Sequence, residues 1–90
     1  MDGSHQVAIV ELNSGADIAV FLDGRYVLDA ALGAGDSEVP VRTTARSLAQ
    51  IHGCEIETVR WAPEGEEWMW NEVRDFLVAS GTLKRRSPGS

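Results

Sequence analysis

The segment Asp17-Ile18-Ala19-Val20-Phe21-Leu22-Asp23-Gly24-Arg25-Tyr26-Val27-Leu28 decides how this chain reads. Two runs rich in β-branched and aromatic residues flank an Asp-Gly pair. Both turn residues tolerate positive φ, which the favoured two-residue hairpin turn requires at each of its central positions. The spacing therefore predicts antiparallel strands over Asp17 to Leu22 and Arg25 to Leu28, joined at Asp23-Gly24. Working outward, Gln6 to Leu12 is nearly all apolar on both alternating faces, which predicts a strand with little exposure. Asn13-Ser14-Gly15 is a turn cluster between that strand and the hairpin.

Beyond the hairpin, Ala30 to Gly35 is a connection of small residues. Asp36 or Ser37 is the expected N-cap of a helix, with Pro40 tolerated in its first turn and Thr43 a rival cap for a shorter one. Val41, Ala45, Leu48 and His52 share a helical face, and Gly53 supplies the stop. Cys54 to Trp61 follows as a fourth strand with imperfect alternation. Ala62-Pro63-Glu64-Gly65 breaks the chain. Glu66 to Ser80 is then expected as the longest helix, its stripe formed by Met69, Trp70, Val73, Phe76, Leu77 and Ser80, with Glu66 and Glu67 at the positive end of its dipole. The expected fold is α+β: an antiparallel β-sheet of about four strands in β-β-β-α-β-α order, with two helices packed on one face. A crossover through the first helix would also permit a parallel, right-handed pairing of the fourth strand. Val10, Val20, Leu28, Leu48, Val73 and Phe76 are the expected core.

At 90 residues the chain suits one domain. The expected division is a flexible start over 1–5, a single α+β domain over 6–81 and a basic flexible tail over 82–90. The one cysteine, Cys54, allows no internal disulfide, and Met1 to His5 is polar without a basic leader region. No apolar run reaches the ~18 residues of a membrane helix. The expectation is a cytoplasmic protein with no membrane contact.

Charge is the sharpest compositional signal. The chain carries −6, but Lys84, Arg85 and Arg86 lie in the tail, so residues 1–81 hold 14 acidic against five basic groups, a formal −9. Nucleic-acid affinity comes mainly from Lys and Arg displacing counterions, so direct nucleic-acid binding by the body is disfavoured. A basic protein surface, such as that of a nucleic-acid-binding complex, is the favoured partner.

Four constellations bear on chemistry. Asp17, Asp23 and Asp29, with Glu11, lie on or beside the hairpin, as carboxylates do at some Mg²⁺ sites, but turn and strand-end roles account for them. His52 and Cys54 are two apart, the elements of an activated thiol, yet Gly53 turns the chain between them and no orienting third group is marked. Gly33-Ala34-Gly35 lacks the further glycine or Lys-Ser/Thr pair of a phosphate loop. No cofactor or metal is expected. Trp68 stands off the helical stripe among carboxylates, and exposed tryptophan is a frequent interface hot spot. Glu64, Glu66, Glu67, Trp68, Glu72 and Asp75 are therefore the candidate partner-binding surface.

The opening, Val7-Ala8-Ile9-Val10-Glu11-Leu12-Asn13 and Gly15-Ala16-Asp17-Ile18-Ala19-Val20, resembles small acidic accessory proteins of phages and plasmids. The resemblance implies host interaction, such as inhibition of restriction or CRISPR machinery, through acidic surfaces presented to basic nucleic-acid channels. It transfers no residue-level site. The function expected is a non-enzymatic protein-binding module, an inhibitor occupying a basic surface. The alternatives are an antitoxin-like or regulatory partner subunit, and a small enzyme using Cys54 and His52. The chain is expected as a monomer or as a homodimer paired through an edge strand.

Overall fold

The computed structural model describes residues 5–65 and 67–84. Strands β1 (Val7–Leu12), β2 (Asp17–Leu22), β3 (Arg25–Ala31) and β4 (Ile56–Trp61) form one sheet in the order β3-β2-β1-β4. Helix α1 (Val39–His52) links β3 to β4, and helix α2 (Trp70–Ala79) follows. The element order departs from the expected one by two interposed 3₁₀ turns, Asn13–Gly15 and Leu32–Ala34.

The hairpin forms as its turn residues dictate. Leu22 pairs with Arg25, leaving Asp23 (φ 51) and Gly24 (φ 78) as the two-residue turn. β1 pairs antiparallel with β2 but parallel with β4, Val7 standing beside Ile56 and Leu12 beside Trp61. The sheet is therefore mixed, not antiparallel throughout. α1 supplies the long connection that a parallel strand demands.

The helices lie on opposite faces of the sheet, which corrects the expectation of a single helical layer. Val41, Ala45 and Ala49 of α1 pack on Val7, Ile9, Ile18 and Val20. Val73 and Leu77 of α2 pack on Ala8, Val10, Leu12, Ala19 and Phe21. The cause lies in β1. Its two alternating sets are both apolar, so one covered face would leave the other in water.

Local chemistry sets the helix ends. Ser37 Oγ accepts the Val39 N–H at 3.1 Å, Pro40 sits in the first turn, and α1 ends at Gly53 with φ 66. α2 begins at Trp70, not Glu66, because Met69 is extended (φ −127, ψ 152) and donates its N–H to Glu72 Oε1 at 3.1 Å. The carboxylate that caps the helix is thus Glu72, three residues inside it. Trp68 consequently precedes the helix instead of lying on its flank.

Of the expected core, Val10, Val20 and Val73 are buried, while Leu28 and Leu48 are half-buried. Phe76 is not a core residue: it is 51% exposed, at the margin of α2. The C-terminal segment does not leave the body at residue 82. Leu83 is buried with the α2-face cluster, and Gln6 Oε1 accepts the Lys84 N–H at 2.8 Å. Gln6 itself is 3% exposed and reaches Glu57 Oε1 and the Thr82 carbonyl through Nε2, both at 3.3 Å. His5, assigned above to the flexible start, places Nδ1 2.8 Å from Asp23 Oδ2. The rest of the expected flexible ends, 1–4 and 85–90, lies outside the described residues.

Candidate functional site

The candidate surface on α2 divides in the structure. Glu64, Glu67, Glu72 and Asp75 are exposed. Glu72 caps α2, and Asp75 pairs with its neighbour Arg74 at 2.7 Å. Glu66 lies outside the described residues. Trp68 is half-buried, meeting Trp70 edge to face with ring centroids 5.1 Å apart and planes at 83°. Trp70 in turn lies 6.0 Å from Phe21, in the α2-face core. Trp68 is thus anchored by aromatic packing while keeping an accessible side.

That side opens onto a groove the sequence reading did not assemble. Its volume is about 550 Å³, and it is lined by Asp17, Tyr26, Asp29, Trp68, Met69 and Trp70. The strand register builds its floor. Asp17 stands opposite Ala31, and Ala19 opposite Asp29, so two carboxylates and two alanines alternate at the corners of one patch on the α2 face. Met69, 65% exposed, and the two indoles form the facing wall.

A bulge places Asp29 there. Between Val20 and Phe21 the β2–β3 register shifts by one residue: Phe21 faces Tyr26, but Val20 faces Leu28. Val27 is the extra residue. Continued from the turn without a bulge, the register would set Asp29 opposite Ile18, on the α1 face. The shift turns it to the α2 face and lets Tyr26 Oη donate a hydrogen bond to Asp29 Oδ1. That bond, then partial burial, then the charge of Asp29 push the Tyr26 phenol from its ordinary 10.0 up to about 12. Among the described residues neither Asp17 nor Asp29 is ion-paired with a Lys or Arg, unlike Glu11, Glu38 and Asp75.

The other constellations fall apart spatially. Glu11 faces α1 and is bound by Arg42 Nη2 at 3.3 Å and by Arg60 Nε at 3.4 Å. A second hollow, about 560 Å³, lies by Glu11, Gly15, Arg60 and Trp61, but its carboxylate already has these two partners. Asp23 is tied to the start of β1, accepting the Gln6 N–H at 2.8 Å. His52 stacks obliquely on His5, centroids 4.4 Å apart, whereas Cys54 packs half-buried against the α1-face core. Among the described residues no helix is long and apolar enough to cross a membrane. No protein-family model, curated protein or solved structure matches this chain.

Proposed function

We propose that this chain is a non-enzymatic protein-binding module whose partner presents a basic surface, and that it acts as an inhibitor or regulatory subunit of a nucleic-acid-handling protein. The observation that carries the reading is the aromatic groove rimmed by Asp17 and Asp29 without a cation of the chain's described residues to neutralise them. Exposed Glu64, Glu67 and Glu72 lie on the segments just before and at the start of α2, widening the acidic field beside it. Such a field accelerates encounter with a basic partner, and a desolvated tryptophan slows its departure.

The test begins with affinity capture and mass spectrometry and is decided with the purified partner. Association should slow as salt rises, and Glu64→Lys with Glu67→Lys, at exposed positions before the helix, should both slow it and flatten its salt dependence. Trp68→Ala should weaken binding by about 2 kcal/mol. A partner bound equally by all these variants and at all salt concentrations would overturn the reading. The Cys54–His52 alternative is separated by thiol labelling, since a structural half-buried thiol reacts slowly with maleimide at neutral pH and an activated one fast.

A further inference from the structure

We propose that the groove between the β2–β3 hairpin and the Trp68–Trp70 segment is a receptor for a single arginine side chain of the partner. The inference rests on the protein-binding reading and specifies its chemistry. Three independent features converge on a guanidinium. The first is charge. Two carboxylates share one patch of the α2 face, standing at diagonal positions of the β2–β3 pairing, where residues lie roughly 7–8 Å apart. Like charges beside apolar walls repel, and among the described residues no Lys or Arg is paired with either. A cation entering between them removes that repulsion and gains attraction to both.

The second feature is the wall. Trp68, Trp70 and Tyr26 present aromatic surface, and a ring face attracts a cation held within about 6 Å of its centroid. Guanidinium is planar and weakly hydrated, so it can lie on an indole while its fork of N–H donors reaches carboxylates at its edge. An ammonium is a strongly hydrated point charge and cannot do both as well. The third feature is acceptor geometry. Tyr26 Oη donates to Asp29 Oδ1, which leaves Oδ2 and the whole Asp17 carboxylate free to accept from the ligand. Anionic ligands, phosphate esters among them, are repelled by the same carboxylates. At about 550 Å³ the groove holds a whole arginine side chain with some of its peptide backbone.

The experiment titrates the isotopically labelled chain with N-acetyl-arginine amide, its lysine counterpart and its uncharged citrulline counterpart, followed by NMR. The arginine probe should shift the Trp68 and Trp70 indole N–H signals and the Asp29 amide. Lysine should bind more weakly, citrulline not detectably, and added salt should weaken the arginine response. Asp17→Asn with Asp29→Asn, the first half-buried and the second exposed, should reduce arginine affinity about tenfold while leaving the circular dichroism spectrum unchanged. Equal shifts from citrulline and arginine, or shifts mapping elsewhere, would overturn the proposal. So would a site seen only after truncation following Lys84, which would make the chain's own Arg85 or Arg86 the occupant. With the purified partner the two readings separate. If Glu67→Lys weakens the complex and the double Asn variant does not, the module reading stands and the arginine receptor falls. If the groove binds arginine but no basic protein is captured, the reverse holds.

Discussion

The rings of Trp61 and Phe76 stack face to face, with centroids 4.6 Å apart and planes only 10° from parallel. This contact explains a phenylalanine that is 51% exposed on a small domain. Trp61 is the last residue of β4, the sheet edge that α2 only partly covers, and Phe76 leans outward from α2 to roof it. The pair closes the open flank of the α2-face core without entering it.

Phe76→Ala should therefore cost about 1–2 kcal/mol, the stacking contribution with part of the ring's burial. Phe21→Ala, at a fully buried ring, should cost about 3–5 kcal/mol. Urea denaturation of the two variants checks the ranking. Equal costs would place Phe76 in the core after all.

Gly24→Val should destabilise the fold by about 1–3 kcal/mol, because a β-branched residue resists the φ of 78 that the turn imposes. The thermal midpoint of the variant reports it directly. A midpoint equal to the parent's would contradict the two-residue turn.

Gln6→Ala should release the C-terminal segment. The Lys84 amide loses its acceptor and the Thr82 carbonyl a donor, at a cost of about 0.5–1.5 kcal/mol per bond, because both residues are exposed and water can replace the lost partner. Hydrogen exchange should show lost protection at Lys84 before any change in the centre of β1. Unchanged protection at Lys84 would show that Leu83 burial alone holds the segment.

Tyr26 should ionise near pH 12, and Asp29→Asn should return it toward 10.0, read by ultraviolet absorbance of the phenolate. The sign follows from a folded-state pKa above the unfolded one. The contribution to stability is complete below pH 10 and is lost as pH rises through about 12. The residue is 43% exposed, so water competes for the bond and the stability change stays small. A Tyr26 titration unaffected by Asp29→Asn would remove the hydrogen bond that orients Asp29 in the groove.

Much of the framework is legible in local chemistry. Asp23-Gly24, Gly53 and the apolar runs of β1 and β2 each announce an element through φ demands or periodicity. What local chemistry does not carry is which side of the sheet a helix covers, or which neighbour an edge strand chooses. The double-faced apolarity of β1 held that answer, and only the arrangement of α1 and α2 on opposite faces makes its meaning visible. The start of α2 is ambiguous in sequence because Glu66 and Glu67 resemble a helix entrance as well as Glu72 does. The groove was hidden for a different reason. Asp17 and Asp29 both lie near the hairpin in sequence, but alternation counted from the turn puts them on opposite faces. One extra residue at Val27 reverses the count, and nothing in Tyr26-Val27-Leu28 marks a bulge. Trp68 stands off the stripe of α2 because it precedes the helix, which the periodicity of Glu66 to Ser80 does not reveal.

The hydrogen bond from Lys84 to Gln6 brings the two ends of the folded body to a single pole. That pole adjoins the Asp23-Gly24 turn, since Asp23 and Gln6 exchange backbone and side-chain bonds there. Asp17 lies at the far end of β2, five residues and roughly 17 Å of strand away. A tether attached before Gln6 or after Lys84 therefore grips the molecule by the same point, at the opposite end of β2 from Asp17. Immobilised through either end, the domain holds Asp17 at the end of the molecule turned away from the support, so a fusion partner or sensor chip can carry it by whichever terminus is convenient.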